Sequence, residues 1–122
     1  MPSRPAHADI DRLLPLKPLV FQILLALADG ERHGWSLVRE VQQRGEFARI
    51  MPGNFYRTLR GMLADGLIEE CAPRTARTED DERRRYFRLT SIGQQVAGAE
   101  AQRLEAAVIE ARAKRLLARS RG

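Results

Sequence analysis

The 122-residue sequence predicts a mainly α-helical fold with one small β-hairpin and a long C-terminal helix. Three observations carry the prediction. Short stretches with helical apolar spacing succeed one another between Pro18 and Gly66, each opened by a proline or closed by a glycine. Two β-prone stretches then flank a polar loop. From Ser91 a single helical pattern continues to about Arg119.

Taken in order, residues 1–14 are expected to form a flexible arm, since Met1 to Asp9 contains Pro2 and Pro5 and shows no periodicity. A first helix starts at Pro18, a residue suited to the first helical turn, and carries Leu19, Ile23, Leu24 and Leu27 before Asp29-Gly30 ends it. It is apolar on two faces, so it should lie between the rest of the domain and a second body. After a polar connection over Glu31 to His33, a second helix spans Gly34 to Gln43, with Trp35, Leu37, Val38 and Val41 as its core side. A third runs from Pro52 to Asp65-Gly66. Leu67 to Cys71 and Arg83 to Leu89 read as paired strands. The loop between them holds Pro73 and the acidic run Glu79 to Glu82, which cannot form a core. Two helices joined by a short turn and followed by such a hairpin make a winged helix-turn-helix over residues 15–90.

Thr90 or Ser91 caps the last helix, 91–119, ahead of a short tail at 120–122. At 1.5 Å per residue this helix spans about 40 Å, more than a domain of this size can cover. Ala97, Ala101, Leu104, Val108 and Ala111 alternate spacings of four and three. That is the spacing of a coiled-coil seam. With Val96 at its start, and with Leu19 and Ile23 from the first helix, the seam is expected to join two copies of the chain.

Composition bears on the partner. The net charge is +5, and 19 of the 21 basic residues are arginine, whose planar fork suits phosphates and guanine edges. Around the third helix, Phe55, Leu59, Met62, Leu63 and Gly66 share one side and face the core, while Tyr56, Arg57, Arg60 and Ala64 fall opposite. Asn54 and Thr58 flank them. Arginine can grip guanine, asparagine can pair with adenine and tyrosine can donate to a phosphate, so this face is expected to contact double-stranded DNA. Arg83, Arg84 and Arg85 on the returning strand are expected to hold phosphates.

Other classes find little support in the sequence. No enzyme, cofactor or metal site is expected: His7 and His33 stand apart, there is one cysteine, and no glycine-rich phosphate cradle occurs. Cys71 reads as a structural thiol in a reducing, cytoplasmic setting. The longest apolar stretch, Leu19 to Ala28, is too short to cross a bilayer, so no membrane partner is expected. The competing reading is a winged-helix module that uses Tyr56 and the arginines to bind an acidic protein without touching DNA.

The sequence resembles the PadR family of transcriptional regulators, in its short form with one C-terminal helix. The resemblance rests on Ile23-Leu24 to Gly30, His33-Gly34-Trp35, Pro52 to Leu59, Asp65-Gly66-Leu67-Ile68, and Arg84 to Thr90 with Gly93. It implies a homodimer that represses transcription at an inverted-repeat operator, with Tyr56 and its neighbours at the DNA. Trp35 stands where the family commonly has tyrosine, and Asn54-Phe55 replaces a usual Thr-Leu or Ser-Leu. Some members bind planar aromatic compounds between their dimer helices by stacking. From Ser91 to Gly122 this chain has no Phe, Tyr or Trp, so a stacking pocket of that kind is not expected between its last helices, and a small-molecule effector would have to bind in another way.

Overall fold

The computed structural model describes residues 10–72 and 85–117. The expected arm residues 1–9, the loop over 73–84 and the tail from 118 lie outside them. The described elements are α1 (Pro18–Leu27), β1 (Arg32–His33), α2 (Gly34–Gln42), a single 3-10 turn (Gly45–Phe47), α3 (Pro52–Ala64), β2 (Ile68–Cys71), β3 (Tyr86–Leu89) and α4 (Ser91–Ala113).

The sheet has three strands in the order β1-β3-β2, both pairings antiparallel. The expected hairpin of β2 and β3 is present with Ile68 opposite Leu89 and Cys71 opposite Tyr86. The stretch expected to be only a polar connection, Glu31 to His33, supplies a third strand: Arg32 pairs with Phe87 and His33 with Tyr86. Two residues are too few to show an alternating pattern. Arg32 anchors this strand by donating to the Ala26 carbonyl at 3.0 Å and by pairing with Glu40 at 2.9 Å, which ties β1 to both α1 and α2.

Ile23, Leu24 and Leu27 of α1, Leu37, Val38 and Val41 of α2, and Phe55, Leu59 and Met62 of α3 form the core together with Leu67, Ile68, Phe87 and Val96. Two expectations change here. Ile23 and Val96, placed at the contact between copies, are both 0% exposed inside the chain's own core and cannot reach a partner's surface. Residues 10–14 are no loose arm, because Ile10 is buried and Leu13 and Leu14 pack on the same core. The N-terminal segment thus adds to the chain's own core instead of hanging free of it.

Helix ends follow local chemistry. At the end of α3 the Gly66 N–H bonds the Leu63 carbonyl and the Leu67 N–H bonds that of Met62, with Gly66 at φ 76°. This is a Schellman closure, which needs a left-handed residue where glycine costs least. The same closure ends α4: Leu116 N–H reaches the Ala111 carbonyl at 2.8 Å, with Arg115 at φ 62°. It stops the helix at Ala113 rather than the expected Arg119, at a place without a glycine to announce it.

The start of α4 is fixed twice. Thr90 Oγ1 accepts from the Gly93 N–H at 2.9 Å and donates to the Gly66 carbonyl, while the Thr90 N–H bonds the Leu67 carbonyl at 3.1 Å. Further along, Glu100 is 2% exposed, pairs with Arg103 at 2.6 Å and accepts from the Leu16 backbone N–H. The Arg103 hydrogen bonds, opposed by burial, hold its carboxyl below the usual carboxylate range. Beyond Glu100, every described residue except Ala111 is exposed. The distal part of α4, about 20 Å at 1.5 Å per residue, therefore leaves the body of the domain.

Candidate nucleic-acid interface

Helix α3 is the centre of the candidate site. Pro52 opens it, and Phe55, Leu59 and Met62 anchor one side in the core. Residues 100° apart around the axis then put Arg57 and Ala64 on the crest, with Gly53 and Arg60 beside them. All four are exposed. Asn54 is exposed too, and its Oδ1 accepts from Arg57 Nη1 at 3.5 Å.

Tyr56 departs from the expected arrangement. It is half-buried, edge-on to Phe55 with ring centroids 5.6 Å apart, and leans on Gly34. A Cβ at Gly34 would stand 3.2 Å from its ring and 3.3 Å from its hydroxyl, so the glycine makes room for the ring. The tyrosine occupies the flank of α3 toward α2 rather than the crest. Thr58 is half-buried on the other flank, its hydroxyl donating to the Asn54 carbonyl at 3.1 Å. Such back-bonding engages the hydroxyl within the helix.

Trp35 is the larger correction. Expected in the core, it is 56% exposed: around α2 it lies about 160° from Leu37 and about 120° from Val41, on the edge of the buried side next to Val38. It borders a cleft of about 460 Å³ between α2, α3 and the sheet, into which Tyr56, Arg60 and Arg85 also face. Neighbouring His33 caps α2, its Nδ1 accepting from the Ser36 N–H at 3.1 Å, and stands edge-on to Tyr86. That gives it structural work in the turn.

On the sheet, Arg85 is 80% exposed along its side chain and lies 3.7 Å from Glu70, a solvated pair of small energetic weight. Arg88 pairs with its cross-strand partner Glu69 at 2.8 Å. Arg83 and Arg84 lie outside the described residues, as does the acidic run Glu79 to Glu82. Cys71 is half-buried; burial, then its hydrogen bond to Glu31, pushes the thiol pKa up, which suits an inert thiol. Among the described residues no group of His, Cys, Asp and Glu could hold a metal ion, and no helix is long and apolar enough to cross a membrane.

The helix pair, the returning strands and an arginine-bearing third helix define the winged helix-turn-helix class of transcriptional regulator. Comparison with known proteins makes the assignment particular. The model of the transcriptional regulator PadR-like family matches residues 23–99, more than half of the chain, and the chain belongs to that family. It is 35% identical over 83 residues to the transcriptional regulator Rv3488 of Mycobacterium tuberculosis, a match covering 68% of this chain and 72% of that one. In fold it is similar to a PadR family transcription regulator from Clostridium difficile R20291, with TM-score 0.68, 21% identity, and 79% of this chain and 96% of that one covered. A PadR-like regulator from Bacillus cereus gives TM-score 0.67 at 22% identity, covering 83% and 93%. The family is one of DNA-binding regulators, not enzymes.

Proposed function

We propose that this regulator acts as a homodimeric repressor at an inverted-repeat operator, reading bases with Asn54, Arg57 and Arg60 and releasing DNA in response to an effector. The observation that carries the reading is the crest of α3. Two guanidiniums and an amide stand in solvent on a helix whose other side is locked in the core. Such a helix loses little conformational freedom on entering a major groove, and its side chains match guanine and adenine edges. Tyr56 and Thr58 support this face from its flanks. Arg85 serves phosphates.

The distal half of α4 supports the dimer. Ala101, Leu104 and Val108 lie along its exposed length, the last two 37% and 41% exposed, with Ala97 nearer the core and Ala111 half-buried. Leu19 of α1 is half-buried, so it can join the contact. Apolar residues on an exposed helix are stabilised when a second copy covers them, and a two-fold dimer calls for an operator with two-fold symmetry.

Selection of duplexes from a random pool, followed by titration of the recovered sequence, tests the proposal. A reproducible palindrome is expected, and Arg57→Ala or Arg60→Ala should each cost about 1 to 3 kcal/mol where it reads a base. Equal, weak binding to every duplex would instead fit the protein-interaction module. Unchanged affinity in both variants would remove the crest from the interface.

A further inference from the structure

Helix α3 is a ridge between two valleys, each lined by more cations than carboxylates: Arg60 and Arg85 against Glu70 in one, and Arg12, Lys17 and Arg57 against Asp65 in the other. One is the 460 Å³ cleft toward α2 and the sheet, bordered on the ridge by Tyr56 and Arg60 and across from it by Trp35 and Arg85. The other, about 430 Å³, runs between α3 and the N-terminal segment, with Arg57 on the ridge and Arg12 and Lys17 on the far bank. The two sets of α3 residues lie on opposite flanks of the helix. Arg12 and Lys17 precede residues 23–99, so the second valley is built partly by chain outside the family match.

We propose that each valley receives the sugar-phosphate backbone of one DNA strand, which makes Trp35 a backbone contact on one side and Lys17 with Arg12 its counterpart on the other. The inference rests on the reading of α3 as the groove-entering helix. An α-helix with its side chains is about 10 to 12 Å across and the major groove about 12 Å wide. A helix that fills the groove leaves both phosphate ridges pressed against its flanks, where a convex ridge needs a concave, positive seat. Both flanks of α3 offer one.

The two seats differ in chemistry. Toward the wing, the exposed indole presents an apolar face for a deoxyribose and an N–H for a phosphate oxygen, in the same cleft as Arg85, whose solvated pair with Glu70 leaves its side chain 80% exposed. Toward the N-terminal segment the far bank carries the Lys17 ammonium and the Arg12 guanidinium, with the Asp65 carboxylate at the end of α3 on the same lining. Buried Ile10 and the Glu100 contact with Leu16 hold that segment in place, so its charges are presented by a fixed bank. Contacts of this kind set register and affinity without carrying sequence information directly.

Trp35 is the chain's single tryptophan, so its emission reports on the first valley directly. With full-length protein, saturating duplex should shift or quench that emission at the stoichiometry of binding. Trp35→Ala should weaken selected and unrelated duplexes alike by about tenfold, and Trp35→Phe, which keeps a ring, by no more than about threefold. Replacing Lys17 and Arg12 together by alanine should lower the slope of log affinity against log salt by about 0.9 for each phosphate no longer neutralised. Wild-type emission that ignores bound duplex, or affinity unchanged in Trp35→Ala, would overturn the first seat. So would emission that responds to salicylate, a planar aromatic anion, and not to duplex. An unchanged salt slope would overturn the second. Each of these can occur while Arg57 and Arg60 still read the operator, whereas a wild-type chain that binds no duplex would sink the DNA reading itself.

Discussion

Replacing Gly93 with alanine should damage the fold far more than one added methyl suggests. A Cβ at this position would lie 1.9 Å from the Leu67 carbonyl oxygen and 2.9 Å from its carbon. Both are backbone atoms in the turn after α3, so no side chain can rotate away. Reaching ordinary contact near 3.4 Å needs roughly 1.5 Å of movement between α4 and that turn. Forced overpacking costs about 1 to 3 kcal/mol, and the rigid obstacle argues for the upper end. The movement also strains the Thr90 cap, whose hydroxyl accepts from Gly93 itself, adding about 1 kcal/mol. Against these stands the helix preference for alanine over glycine, a gain of about 1 kcal/mol. The clash wins, leaving a net loss of about 3 kcal/mol and a melting midpoint roughly 10 to 20 °C lower. Gly98 in the same helix supplies the control, since nothing lies within 4 Å of its Cβ position. Gly98→Ala should gain up to about 1 kcal/mol from helix preference alone. Circular dichroism melts and urea titrations at one fixed protein concentration measure both, the fixed concentration being needed wherever association contributes. If the two variants melt together, the close packing of α4 on Leu67 is refuted.

Gly34→Ala meets a movable ring rather than backbone, so stability should fall by less than about 1 kcal/mol while Tyr56 shifts and duplex affinity drops; equal affinity for DNA would show that the ring position is immaterial to binding. For Glu100, whose folded pKa lies below its ordinary 4.5, the stabilisation is fully present above that value and is lost as pH falls through the folded one. Acid titration of stability should therefore be flatter below 4.5 in Glu100→Gln than in the parent, and identical profiles would refute the linkage. Leu104→Glu with Val108→Glu should give monomers by sedimentation and abolish operator binding, and intact dimers would count against the seam.

What can be read from the sequence is mostly what proline and glycine punctuate. Pro18, Pro52 and Gly66 mark helix ends that the structure places within a residue or two, because each imposes a local backbone condition that tertiary packing does not override. Long-range partners decide the rest. The two-residue strand at Arg32 exists only through β3, far along the chain, and has no pattern of its own. Ile23 and Val96 read as interface residues because nothing local reveals that the first and last helices pack on each other within one chain. Hydrophobicity alone assigns Trp35 to the core, although on the helix wheel it stands at the edge of the buried side, far from Leu37 and Val41 and near only Val38. For Tyr56 the available signal is Gly34, a residue without a Cβ near where a ring must lie.

The same close contacts decide how a partner could influence DNA binding. Thr90 joins the first residue of α4 to the turn that closes α3, through Gly66 and Leu67, and Gly93 packs directly on Leu67. Glu100 joins the next turns of α4 to the N-terminal segment that forms one bank beside α3. Between residues 90 and 100 the helix is thus held at several points, while past 100 it stands free. In the proposed dimer, a rotation of the two distal helices against each other has little give within the subunit to absorb it, since packed interiors transmit strain. It must reappear as a change in the separation or angle of the two α3 ridges, and half-sites one helical turn, about 34 Å, apart tolerate little of either. An effector acting at the distal helices could then release DNA without touching a residue of α3. If so, substitutions that loosen the Thr90 and Glu100 attachments should weaken the effector's influence on DNA more than either binding event alone, a difference that paired titrations with and without effector would expose.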